Sequence, residues 1–97
     1  MKYSLHPEAA QDLLEICTFY QQSATPRVAA SFLDEFERVA RLVAANPDFG
    51  TPLELPRRLY PLRRFPYSVI YRPIEGGVRI LAVRHQSRHP RHGRGRR

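Results

Sequence analysis

The chain reads as an α+β fold of order β-α-α-β-β-β, a small mainly antiparallel sheet with an N-terminal helical hairpin packed on one face. Three observations predict it. Apolar residues recur at helical spacing from Ala9 to Val43, the period changes to alternation after Pro56, and proline- or glycine-bearing breaks separate the periodic segments. At 97 residues the chain can bury one modest core and is too short for two. Residues 1–90 are assigned to that single domain. The end, RHGRGRR from Arg91, has no apolar residue and is expected to be a disordered basic tail over 91–97.

The opening Lys2 to His6 alternates weakly, with Tyr3 and Leu5 on one face, as a short strand does. Pro7 suits the first turn of a helix, where its missing N–H costs nothing, and Glu8 and Asp12 favour the positive helix start. Ala9, Leu13, Ile16, Cys17 and Tyr20 then recur at helical spacing, giving an amphipathic helix to about Gln22. Thr25-Pro26 reads as an N-cap and first helical residue. The second helix has the stronger stripe: Val28, Ala29, Phe32, Phe36, Val39, Ala40 and Val43, with Asp34, Glu35, Glu37, Arg38 and Arg41 on or beside the opposite face. Asn46-Pro47 ends it, and Phe49-Gly50-Thr51-Pro52 reads as a turn-rich loop. The short join between the helices predicts an antiparallel hairpin.

Arg58 to Arg63 reads as a strand that Pro61 pushes toward an edge or a bulge. Phe65, Tyr67, Val69 and Tyr71 fall on one face of the next strand, with Pro66, Ser68, Ile70 and Arg72 on the other. Glu75-Gly76-Gly77 is a tight hairpin turn. Val78 to His85 has apolar residues on both faces (Val78, Ile80 and Ala82 against Leu81 and Val83), as expected of an interior strand.

Charge divides the chain in two. From Arg57 onward twelve arginines face one acid, Glu75, a net of +11; residues 1–56 hold four basic and eight acidic side chains, a net of −4, and the halves combine to the overall +7. Such polarity suits a protein that meets an anionic partner with one end. No apolar run approaches the roughly 18 residues of a membrane span, and the N-terminus lacks the apolar core of a signal peptide, so a cytoplasmic protein with no membrane partner is expected. The single cysteine, Cys17, cannot form an internal disulfide and reads as a small buried hydrophobe. His85, His89 and His92 have no cysteine or carboxylate at ligand spacing, so neither metal nor other cofactor is expected.

The same residues resemble the RelE/ParE superfamily of type II toxins. The resemblance rests on Pro7-Glu8-Ala9, Asp12-Leu13-x-Glu15-Ile16, Asn46-Pro47 followed by Gly50, Arg57-Arg58-Leu59, Arg64-Phe65-Pro66-Tyr67, Ile70-Tyr71, and Ile80-Leu81-Ala82-Val83-x-His85 leading to Arg88-His89-Pro90. It covers about residues 1–90 and implies a small basic toxin, often of a plasmid-stabilisation module, neutralised in a hetero-oligomer by an antitoxin with an acidic C-terminal segment. RelE-like members cleave mRNA at the ribosome without a metal: the 2′-OH attacks the adjacent phosphate, with basic residues stabilising charge and a proton donor near the chain end. ParE-like members share the fold and poison DNA gyrase.

For the nuclease reading, Arg63 or Arg64, Arg72, and Arg84 with His85 are the candidates, since a guanidinium fork suits phosphate and histidine transfers protons near neutral pH. Catalysis would fall to Arg64, Arg84 and His85, and Tyr67 or Tyr71 would stack a base. RelE-like nucleases usually end in a tyrosine just past the last strand, and this chain has none after Tyr71; its Val83-Arg84-His85-Gln86-Ser87-Arg88 resembles the ParE-type ending. His85 then either fixes the strand end, acts as a general acid, or touches a protein partner. Phe65, Tyr67 and Tyr71 read as core or half-core residues, and Arg57, Arg58 and Arg79 as solvated charges. Target or antitoxin contact is assigned to Arg63, Arg64, Arg72, Arg84, Arg88, Leu59 and Leu62. The favoured function is a gyrase-inhibiting toxin; the alternatives are a ribosome-dependent mRNA endonuclease and a non-toxic basic nucleic-acid-binding module.

Overall fold

A computed structural model describes residues 2–87. Strand β1 (Lys2–Leu5) leads into helix α1 (Pro7–Ser23) and helix α2 (Pro26–Ala45), followed by strands β2 (Thr51–Pro52), β3 (Arg58–Pro61), β4 (Tyr67–Ile74) and β5 (Gly77–His85). The five strands form one sheet in the order β1-β5-β4-β3-β2. All pairings are antiparallel except β1 with β5, so the opening strand lies beside the last one. The predicted element order is therefore present with one strand added. Thr51 and Pro52 pair with Leu59 and Arg58 instead of forming only a loop; a strand of two residues has no period to read.

Local chemistry sets the helix ends. His6 Nδ1 accepts the Glu8 N–H at 3.1 Å with Pro7 in the first turn, and Thr25 Oγ1 accepts the Val28 N–H at 3.2 Å with Pro26 following. At the other end of α2, the Asn46 backbone and side-chain amides both donate to the Leu42 carbonyl. The stripes then do the packing. Leu13 and Ile16 of α1 and Phe32, Phe36, Val39 and Val43 of α2 share one core with Val69 and Tyr71 of β4 and Val78, Ile80 and Val83 of β5. Each such side chain taken from water contributes about 1.5–3 kcal/mol, offset mostly by chain entropy.

One break in the alternation changes which residues face the helices. Ile70 is in register with Ala82, but Tyr71 is in register with Ile80, so Leu81 is an extra residue in β5. A one-residue insertion exchanges the two faces beyond it. Val83, predicted to lie opposite Val78 and Ile80, therefore joins them in the helix-side core, while Ala82 leaves it. The β4–β5 turn is the predicted tight one: Ile74 pairs with Gly77, and Gly76 takes φ 80° between them. β3 ends at Pro61 rather than Arg63, and Arg64 turns the chain with φ 65°. No helix of the described residues is long and apolar enough to cross a membrane. The predicted tail, 91–97, lies outside the described residues.

Candidate functional site at the basic end of the sheet

The loop from Leu62 to Pro66 joins the end of β3 to the start of β4, and the start of β4 pairs with the end of β5: Tyr67 with His85 and Ser68 with Arg84. The Gln86 N–H donates to the Pro66 carbonyl at 2.8 Å, tying the end of β5 to that loop. Arg63, Arg64, Arg84 and His85 are thus gathered at one end of the sheet. Arg63 and Arg64 are exposed, Arg84 is buried, and His85 is half-buried. Arg72 is elsewhere, near the β4–β5 turn and in register with Arg79. Leu59 is half-buried on β3, and Leu62 belongs to the core. Arg88 lies outside the described residues.

An aromatic cluster underlies this end. The Tyr20 ring lies 5.8 Å from Phe32, 5.6 Å from Phe65 and 6.4 Å from Tyr67, all centroid to centroid. Tyr67 meets the His85 ring edge-on at 5.2 Å, and the Arg64 guanidinium stands 6.0 Å over Phe65. Such geometries suit the ring quadrupole. Burial, with the neighbouring Tyr67, raises the Tyr20 phenol above its ordinary pKa of 10.0. Phe65, Tyr67 and Tyr71 therefore pack as core or half-core side chains rather than as an open stacking platform.

Two carboxylates that the sequence reading left among surface or helix-start charges shape the site. Glu35 is buried, not solvated on the outer face of α2: its Oε2 accepts the Arg63 N–H at 2.6 Å, and Arg38 donates to both its oxygens at 2.7 and 2.8 Å. The hydrogen bonds from Arg38 hold its carboxyl below the ordinary 4.5 against the opposing effect of burial, and the Arg63 N–H adds to the lowering. Asp12 Oδ2 accepts the Val83 N–H at 3.0 Å. β1 pairs with β5 only as far as Ile80, so Asp12 bonds an N–H beyond that ladder. The one hint in the sequence is that Glu35 falls between Phe32 and Phe36 on the helix surface.

His85 is engaged with its own chain. Its Nδ1 accepts the Ser87 N–H at 3.1 Å and lies 2.8 Å from Ser87 Oγ. Two of the arginines assigned to solvent are placed otherwise: Arg57 is buried, and Arg58 donates through Nη1 to the Gly50 carbonyl at 2.8 Å and the Asp48 carbonyl at 3.2 Å. Flanking concavities complete the surface. One of about 370 Å³ lies between α1 and the end of β5, with Asp12, Glu15, Phe19, Tyr67, His85 and Ser87 on its walls. Another, about 340 Å³, follows the β3 edge past Arg38, Phe49, Leu59, Tyr60, Leu62 and Arg63. The described residues contain no group of three His, Cys, Asp or Glu side chains placed to hold a metal ion.

Residues 3–90 match the family described as ParE toxin of the type II toxin–antitoxin system parDE. The chain is 29% identical over 86 residues to Toxin ParE2 of Mycobacterium tuberculosis, in both strain CDC 1551 / Oshkosh and strain H37Rv, covering 89% of this chain and 82% of the relative. A solved chain of the chromosomal ParDE system from P. aeruginosa superposes with a TM-score of 0.75 at 26% identity, covering 88% of this chain and 95% of that one.

Proposed function

This chain belongs to the ParE toxin family of type II toxin–antitoxin systems, and on that premise we propose that it stops growth by inhibiting DNA gyrase in the cytoplasm until a cognate antitoxin covers it. The observation that carries the reading is the state of the last strand. A nuclease of the RelE kind needs a proton donor poised at the scissile phosphate. Here His85 Nδ1 is taken up by Ser87, Arg84 is buried, and no tyrosine follows Tyr71. The arrangement supports a basic binding surface rather than an acid–base pair.

The antitoxin contributes an acidic C-terminal segment that lies along the β3 edge. β2 covers that edge only at Arg58 and Leu59, and Leu59, Leu62 and Arg63 border the groove beside the uncovered part. An extended acidic peptide there gains main-chain hydrogen bonds and pairs its carboxylates with arginine. Arg63 and Arg64 are shared by antitoxin and target, so covering them silences the toxin; such a pair suits plasmid stabilisation. Arg84, Arg72 and Arg88 act as supporting contacts.

Induction of the chain alone tests the reading. Growth arrest with relaxed plasmid DNA and intact message supports it, as does rescue by the neighbouring antitoxin gene. Normal supercoiling together with new mRNA 5′ ends at fixed codon positions would replace gyrase with the ribosome as target.

A further inference from the structure

We propose that the basic end of this chain, residues 91–97, is an intramolecular strap that lies along an acidic stripe of α1 and seats an arginine in the cavity between α1 and the end of β5. The proposal does not depend on the gyrase reading, and it uses two carboxylates, Glu8 and Glu15, that the gyrase reading leaves without a role.

The helix period sets the stripe. Glu8, Asp12, Glu15 and Phe19 follow one another at spacings of four, three and four residues, so they share one face of α1. The helix contains no lysine or arginine, and its three acids all stand in that row, where like charges repel. Glu8 and Glu15 are exposed, and Phe19 is 54% exposed at the far end of the row. Asp12 is fixed by the Val83 N–H at 3.0 Å, and Gln11 Nε2 donates to Glu15 Oε2 at 3.2 Å. The cavity of about 370 Å³ sets Asp12, Glu15 and Phe19 across from Tyr67, His85 and Ser87. Two carboxylates beside two aromatic rings suit a guanidinium, which donates to the first and stacks on the second.

The course of the chain decides the occupant. Ser87, the last described residue, is itself on the cavity wall. The sequence after it, RHPRHGRGRR, holds five arginines, four of them from Arg91 onward, and no acid. At about 3.5 Å per residue, Arg88-His89-Pro90 spans at most roughly 10 Å and the whole end at most roughly 35 Å. Along α1, Glu8 and Phe19 are about 16 Å apart at 1.5 Å per residue, so residues 91–97 reach the full stripe. So short a tether holds the tail beside the stripe at an effective concentration of about millimolar, which favours it over the tail of a second copy. An acidic antitoxin segment is repelled by the same carboxylates. Bound there, the tail pairs its charge with α1 rather than with free polyanions.

Limited trypsin digestion of the full-length protein, read by intact mass, tests the strap through the rate of cleavage after Arg91 and Arg94. At low salt, Glu8→Gln with Glu15→Gln is expected to speed that cleavage about threefold or more. At about 0.5 M NaCl the parent and the variant converge, because the charges are screened. Asp34→Asn with Glu37→Gln, an equal charge change at exposed positions of α2, leaves the rate within about 1.5-fold at low salt. Glu15→Lys is a second variant, expected to speed cleavage as much, and Asp12 is left intact because it holds Val83. Protection in the parent persists on about hundredfold dilution, as an intramolecular contact requires. Equal acceleration by the α2 pair, no acceleration in either α1 variant, a difference unchanged at high salt, or protection that fades on dilution and so belongs to a second copy overturns the proposal.

Discussion

The carboxylate of Glu35 accepts the backbone N–H of Arg63 at 2.6 Å while the Arg38 guanidinium grips its two oxygens. A helix side chain thus anchors the start of the basic loop. Removing it leaves a part-buried N–H and a guanidinium without their acceptor. Glu35→Ala is therefore expected to lower stability by about 2–3 kcal/mol, and Glu35→Gln by less, read from urea denaturation midpoints. Amide exchange at Arg63 should quicken in both.

The same carboxyl sets a pH dependence. Its folded pKa is depressed, so the unfolded chain binds the proton more readily in acid. Its contribution is fully present above the ordinary carboxylate value of 4.5 and is lost as pH falls through the lower folded value. The stability difference between the parent and Glu35→Gln should be constant near neutrality and shrink below that range. A difference that grows in acid would contradict the assignment.

Gly50 and Tyr71 form a lock between the α2 exit and the sheet. The Tyr71 hydroxyl donates to the Pro47 carbonyl at 2.7 Å and accepts the Gly50 N–H at 2.8 Å. A Cβ on Gly50 would stand 2.6 Å from that hydroxyl and 2.8 Å from the ring. Tyr71→Phe is expected to cost about 1–3 kcal/mol and Gly50→Ala about 1–3 kcal/mol. Thermal melts of the single and double variants should show non-additivity, because both act on one contact.

Arg64 separates conformation from chemistry. Its φ of 65° is a left-handed backbone that glycine adopts without steric cost. Arg64→Gly should keep the parent stability within about 1 kcal/mol, whereas Arg64→Val should lose about 1–2 kcal/mol. Both should lose growth inhibition if the guanidinium is what the target meets. Full toxicity in Arg64→Gly would remove Arg64 from the site.

The architecture was legible because its signals are periodic. The α2 stripe, the Thr25-Pro26 start and the Glu75-Gly76 turn are local, and each appears in place. The misses are tertiary. Nothing local marks Leu81 as an extra residue, so the faces of Ala82 and Val83 were exchanged. Glu35 looks like any helix-surface acid until the loop at Arg63 comes to it from 28 residues away. Arginine counting found the basic end at Arg63, Arg64 and Arg84, but nothing in the sequence marks Arg57 as buried rather than solvated.

The proposed gyrase contact runs through the Arg63–Arg64 end of the sheet. A supercoiling assay with purified gyrase, relaxed plasmid, ATP and the purified chain tests it most directly. Dose-dependent loss of supercoiling is expected, abolished by Arg63→Glu with Arg64→Glu in a protein whose melting curve shows it folded, and by prior addition of the antitoxin. Undiminished supercoiling at a molar excess of folded chain would contradict it.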